Sequence, residues 1–303
     1  LIPVLAGEGH EVVAGTRRPE GYRGLGSPVR VDVEDQASVE EAVSGVDAAY
    51  YLVHGMAASG DFVARDRRAA ETFGSVAGRR GVKVVYLGGL GDRRQSAGRS
   101  AHLRSRHEVG EVLRGEADTV ELQAAVVIGA GSIAFEILRQ LVDRLPVMVC
   151  PSWVATRSQP IAVADMVRYL VAGLGLDAGA YQVGGADVVS YEDMMNRYAA
   201  LTGRRRVVVK VPVLTPSLSA RAVGLATESA LKVPGLSAPL SLVTNHPMSV
   251  AFRLTAGLSV EAVVKDHRIR ELVPFDPMGV DAALRTALRD DGDDSPALVR
   301  LQG

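Results

Sequence analysis

Cysteine is nearly missing from this chain: Cys150 is the only one in 303 residues. A lone thiol excludes an intrachain disulfide framework and a cysteine-rich zinc cluster, and it fits a protein of the reducing cytosol. Charge of one sign is missing too. Lys plus Arg number 34 against 35 for Asp plus Glu, a formal net charge of -1. No overall field therefore draws the chain to nucleic acid or to an anionic membrane, and any anion site has to be local. Long hydrophobic runs are also lacking: the longest apolar stretch, Leu122 to Phe135, contains Gln123 and Ser132 and is shorter than the ~18 residues of a membrane helix. His246 and His267 have no partner at metal-ligand spacing, so no metal is expected. The first residue is not Met, and no signal peptide precedes the apolar opening Leu1, Ile2, Val4, Leu5. The reading frame is expected to begin further upstream.

What is there is alternation. After a half-helix at Leu1 to Leu5, His10 to Ala14 reads as a short buried strand running out at Thr16, Arg17 and Arg18. Val29 to Val33 is a second strand, followed by Asp35 as the N-cap of a helix that Gly45 closes. Ala48 to Val53 is a third, ending at His54 and Gly55. Val63, Ala70, Phe73 and Ala77 then recur near a period of 3.6 up to Gly81. Val82 to Leu87, a basic loop from Arg93 through Arg99 and Arg104 to His107, a helix over His107 to Arg114, and a strand from Val120 to Ile128 complete the regular part. Apolar strands separated by amphipathic helices predict a doubly wound α/β fold, a parallel Rossmann sheet covered on both faces. From Ser190 onward the pattern is helices joined by turns at Pro212, Pro216, Pro234, Pro239 and Pro247. This divides the chain into a dinucleotide-type domain over 1–185 and a smaller, mostly helical lobe over 186–303. The acidic Asp290 to Asp294 run reads as a solvated tail and Arg204 to Arg206 as a surface turn.

A glycine-rich turn after a strand lets backbone amides and a helix N-terminus meet a pyrophosphate. The one strand-loop-helix match, Gly129, Gly131 and Ala134, follows several strand-helix units, and no acidic ribose ligand ends the next strand, which runs into Cys150 and Pro151. It is read as a tight structural turn. The phosphate loop is expected before Leu1, on a first strand central to a 3-2-1-4-5-6 sheet, with the strands at His10 and Ala48 on either side of it.

Taken together, GHEVVAGTRRP, VDVED, DAAYYLVHGM, VVYLGGLG, LRSRHEVGEVLR, AAVVIGAGS, QPIAVADMVRYL and YQVGGADVVSYEDMM resemble, in order and spacing, the atypical NmrA-like members of the extended short-chain dehydrogenase/reductase superfamily. Those members include cofactor-binding proteins related to a respiratory complex I accessory subunit. The resemblance implies that Arg17 and Arg18 read the adenosine ribose. An acidic residue there accepts from the 2'-hydroxyl of NAD, whereas guanidinium groups suit a 2'-phosphate, so NADP is expected, with NAD second. A solvated strand end is the plain alternative. By the same resemblance Asp32 lies near the adenine, and Leu52, Val53 and His54 pass the nicotinamide ribose. The superfamily uses a Ser or Thr hydroxyl after the fourth strand and a Tyr-x-x-x-Lys pair. Here Gly88 and Gly89 fall in the hydroxyl region, His102 at the Tyr position and Arg106 at the Lys position. Arg106 can hold ribose hydroxyls, and His102 can act as an acid near neutral pH. Gln159, Pro160, Ile161 and Asp165 match a structural element of the family, with Asp165 anchoring a helix.

Two functions follow from these expectations. One is an NADP-preferring oxidoreductase or epimerase acting on a small carbonyl, sugar or quinone-like substrate. The other is a non-catalytic NADPH sensor or assembly factor that meets a protein partner.

Overall fold

Most of the apolar, β-branched segments of the first half form parallel strands followed by a helix that crosses back over the sheet, whereas Val13–Thr16 and Ser27–Arg30 are joined by the 3-10 turn Pro19–Gly21 alone. The computed structural model describes residues 1–53, 55, 61–92, 100–211 and 257–292. His54, Arg93, Arg99, the prolines from 212 to 247, His246 and the end of the acidic run lie outside the described residues. In chain order the first half is α1 (Ile2–Gly7), β1 (Val13–Thr16), β2 (Ser27–Arg30), α2 (Gln36–Ala42), β3 (Ala48–Tyr51), α3 (Phe62–Arg80), β4 (Lys83–Gly89), α4 (Ala101–Glu116) and β5 (Thr119–Ala124). Then come β6 (Val127–Ile128), α5 (Ile133–Arg144), β7 (Val147–Pro151), β8 (Arg157–Ser158), β9 (Ile161–Ala162), α6 (Val163–Ala172) and β10 (Gly179–Val183). The remainder is β11 (Val189–Ser190), α7 (Tyr191–Leu201), β12 (Val207–Val211), α8 (Arg268–Leu272) and α9 (Val280–Gly292). None of the described helices is long and apolar enough to cross a membrane.

Local chemistry sets the helix ends. Asp35 accepts from the Ala37 amide at 3.1 Å and caps α2. Asp61 caps α3 through the Ala64 amide at 3.2 Å, and Gly81, at φ 67°, ends it in the left-handed conformation that lacks a Cβ penalty only for glycine.

The sheet has the order β10-β5-β4-β3, all parallel, with β1 and β2 as a separate parallel pair. β1 and β3 do not bond each other, so the break falls between the two strands expected to lie either side of the first one. Both sheets run in the same sense. Glu34 meets Arg65 at the start of α2 and α3 (3.6 Å), and Glu40 meets Arg79 toward their ends (2.9 Å). The helices are therefore parallel, and so are β2 and β3, the strands that precede them.

Alternation along β4 divides the core into two faces. Val84 and Tyr86 pack with Val39, Phe73, Val109 and Leu113 under α2, α3 and α4. Val85 and Leu87 pack with Val120, Leu122, Met166 and Tyr169 under α6. Ile269 of α8 joins this second face. A third cluster, Phe135, Val142, Met148, Met194, Tyr198 and Leu284, joins α5, α7 and α9 and draws on segments either side of residue 185. Asp165 accepts from the Met278 amide at 2.7 Å, and buried Gln159 bonds Gly185 O and the Val264 amide. These side chains staple the returning C-terminal segment to the sheet.

Several local expectations change. The first strand is not buried: in β1 only Ala14 is, and Val13 is 43% exposed, because one face of this strand stays open. The strand read from Val120 to Ile128 is two. β5 ends at Ala124, and β6 leaves to pair with β9. Helix α4 begins at Ala101, with Ser100 Oγ accepting from the Leu103 amide at 3.2 Å, so Arg104 and His107 are helical rather than part of a basic loop. Arg206 is not confined to a surface turn: its guanidinium donates to Val142 O at 2.6 Å and Asp143 O at 3.2 Å, satisfying carbonyls in the last turn of α5. Asp290 lies within α9, not in a tail.

Candidate functional site

Parallel strands bring all their carboxyl ends to one edge, where loop amides and helix N-termini converge on ligands. At the end of β1 the Arg18 amide donates to Thr16 Oγ1 at 3.2 Å and turns the chain outward. Arg17 and Arg18 are both exposed, and neither guanidinium bonds another described residue. At the end of β2, exposed Asp32 accepts the Glu34 amide at 3.1 Å, while its own amide donates to Ser38 Oγ at 2.9 Å. Part of its role is thus to shape the turn into α2. Beyond β3, Leu52 packs against the α6 face of the sheet and Val53 is largely exposed.

At the end of β4, Gly88 and Gly89 serve close packing. A Cβ on Gly88 would stand 2.5 Å from Glu121 Oε1, and one on Gly89 would stand 3.0 Å from Leu103 and 3.4 Å from Arg106. Helix α4 therefore lies directly on the end of the strand. It carries His102, half-buried, and Arg106 one turn later, which places both on one face. The Arg106 guanidinium lies 4.8 Å from the Tyr86 ring centre, and Tyr86 Oη donates to Arg106 O at 3.0 Å. Tyr86 is wholly buried, and desolvation pushes its phenol up to about 12 against the opposing effect of Arg106. The buried His107 ring places Nε2 3.1 Å from Gly89 O, tying α4 to β4 a second time.

Two buried carboxylates in this region were not singled out in the sequence. Asp66 of α3 accepts from the Gly55 amide at 2.7 Å and from Ser105 Oγ at 2.8 Å. Glu121 of β5 pairs with Arg114 and accepts from Gln123 Nε2 at 3.2 Å. Each had a signal: Asp66 interrupts the buried stripe of α3 four residues after Phe62, and Glu121 interrupts the apolar run of a central strand. The Gly129–Gly131 turn is steric in origin. Gly131 has φ 80°, and a Cβ on Gly129 would stand 2.5 Å from Val163. A cavity of about 500 Å3 lies away from the carboxyl edge, between α1, α6 and residues 272–275, with Val4, Arg168 and Phe275 in its lining. It opens beside Leu176, whose carbonyl takes the Lys83 ammonium at the start of β4.

No protein-family model matches the sequence, and no curated protein does. Solved structures do match. The Bordetella bronchiseptica enzyme WbmH in complex with NAD+ is 13% identical, with TM-score 0.65, over 95% of this chain and 92% of that one. UDP-glucose 4-epimerase from Thermotoga maritima, with UDP-glucose, is 12% identical, with TM-score 0.67, over 96% and 95%. The chain thus shares the Rossmann-type α/β fold of these enzymes. A third protein with that fold, the NAD-dependent NDP-hexosamine 5,6-dehydratase TunA of tunicamycin biosynthesis, is 14% identical, with TM-score 0.64, over 95% and 91%. In open parallel α/β sheets ligands bind outside the carboxyl ends of the strands; the cavity beside Leu176 lies at the opposite side.

Proposed function

We propose that this protein binds a nicotinamide dinucleotide along the carboxyl edge of its sheet, prefers NADP to NAD, and acts as an atypical oxidoreductase or epimerase. Its substrate class is a small carbonyl compound, a quinone-like compound or a nucleotide-linked sugar. One observation carries the reading: the exposed Arg17 and Arg18 pair at the tip of β1, whose guanidinium groups bond no other described residue, in a fold that matches an NAD-bound enzyme over nearly its whole length. Two forked guanidinium groups suit a phosphomonoester, and no carboxylate at this tip accepts from a 2'-hydroxyl. The nucleotide-linked sugar class draws on the UDP-glucose and NDP-hexosamine enzymes that share the fold. Residues 1–185 are assigned to the dinucleotide and 186–303 to substrate or partner contacts, with Asp32, Leu52, Val53, His54 and Gly88 along the cofactor path.

The nicotinamide, when bound, accepts or delivers the hydride. The protein's residues orient it and move the proton. Arg106, held by Tyr86, binds hydroxyl or phosphate oxygens but stays protonated and passes no proton on. His102 is the acid and base: as imidazolium it gives a proton to a carbonyl oxygen, and as imidazole it takes one from a hydroxyl. Tyr86 is excluded from that role because its hydroxyl is buried and committed to Arg106 O.

Calorimetric titration with NADPH and NADH tests the binding claim. NADPH is expected to bind about tenfold tighter or more, the worth of one charge-assisted hydrogen bond. Equal affinities, or no binding of either, refute the reading. A panel of ketones, quinones and UDP-sugars tests turnover, which His102→Ala should abolish while leaving NADPH affinity intact. Binding without turnover on any substrate points instead to a non-catalytic sensor.

A further inference from the structure

A carboxylate that is 9% exposed is costly to hold unless its oxygens are satisfied, and Asp66 has one partner on each. Oδ1 takes the Gly55 amide, just beyond the β3 tip. Oδ2 takes the hydroxyl of Ser105, which is itself buried and immediately precedes Arg106 on α4. A Cβ on Gly55 would stand 2.7 Å from Asp66 Oδ1, so the approach of loop to carboxylate depends on glycine. Tyr51 of β3 lies 6.1 Å from Tyr86, the ring under Arg106, and the Asp66 charge adds to the upward push on both phenols. One side chain thus spans three elements: the β3 tip, α3, and the helix bearing His102 and Arg106.

We propose that Asp66 is a positioning residue for the nicotinamide half of the cofactor site. It fixes the spacing between the β3 tip and the His102–Arg106 face of α4 and leaves the adenosine half, at β1 and β2, untouched. The proposal rests on the dinucleotide reading above. Its consequence is a selectivity that a general loss of stability does not produce, because the two halves of one ligand respond differently.

The test compares NADPH with 2',5'-ADP, which carries only the adenosine half, on wild-type, Asp66→Ala, Asp66→Asn and Ser105→Ala proteins. Asp66→Ala should weaken NADPH about tenfold, the scale of one lost charge-assisted bond, while 2',5'-ADP stays within about twofold. Bound NADPH should also lose part of its nicotinamide fluorescence enhancement. Asp66→Asn keeps an acceptor for Gly55, and its amide can donate to Ser105 Oγ, so it should restore NADPH binding to within about threefold. Ser105→Ala removes only the Oδ2 bond and should show the same selectivity more weakly; it decides the matter if Asp66→Ala does not fold. Equal losses for both ligands, an Asp66→Asn protein no better than Asp66→Ala, or unchanged NADPH affinity overturns the proposal. Wild-type protein that binds neither ligand overturns the cofactor reading and this proposal with it.

Discussion

Two glycines of α4 should respond in opposite directions to the same substitution. Gly115 has open space at its Cβ position, whereas at Gly110 a Cβ would stand 2.5 Å from Glu121 Oε1 and 2.6 Å from its Cδ. Gly115→Ala therefore reports helix propensity alone, a gain of about 0.5–1 kcal/mol. Gly110→Ala receives the same gain and must also displace a carboxylate. That carboxylate has little room to move. Glu121 is fully buried, paired with Arg114 and bonded by Gln123, and on its other side the missing side chain of Gly88 is the space it already fills. Overpacking costs about 1–3 kcal/mol, and more if the buried pair is broken, so the net expectation is a loss of about 1–2 kcal/mol. Urea unfolding followed by circular dichroism reads both variants, with the m-value checking that the unfolded states compare. The double-mutant cycle supplies the mechanism: in a Glu121→Ala background the clash is gone, and Gly110→Ala should become stabilising like Gly115→Ala. If Gly110→Ala is as stable as Gly115→Ala in the wild-type background, the buried Glu121 arrangement is wrong.

Replacing both Arg17 and Arg18 by alanine should reduce the ratio of NADPH to NADH affinity about tenfold or more, read by calorimetry, with NADH itself little changed. Gly78→Ala drives a Cβ into the Glu116 carbonyl where α3 and α4 touch; backbone cannot yield as a side chain does, so a loss of about 3 kcal/mol or more is expected in the same unfolding assay. Asp193 accepts from the Ser190 amide at 3.0 Å and its hydroxyl at 2.7 Å in a capping box at the start of α7, and these bonds hold its carboxyl below the usual range. A depressed folded pKa means stability present at neutral pH and lost as pH falls through that value. Ser190→Ala should therefore cost about 1 kcal/mol at neutral pH and less in acid, measured by unfolding at several pH values. Turnover that uses His102 as proton donor should fall as pH rises, and His102→Ala should flatten the profile.

What the sequence by itself determined is what neighbours along the chain decide. Asp35 as a cap, Gly81 as a stop and the 3.6-residue spacing along α3 are local, and they were legible before any contact was known. So was the alternation of strands and helices, which admits few arrangements once connections must be short and right-handed. Arg17 and Arg18 at a strand tip, and His102 and Arg106 four apart, were equally readable as positions. Their surroundings were not. Ser105 meets Asp66 across 39 residues, and Glu121 depends on glycines supplied by another strand and a helix. A capping hydroxyl at Ser100 moved the start of α4 back by six residues and placed His102, Arg104, Arg106 and His107 on that helix. Only the tertiary structure decides such features, because burial and close approach belong to pairs of elements and no single segment contains them.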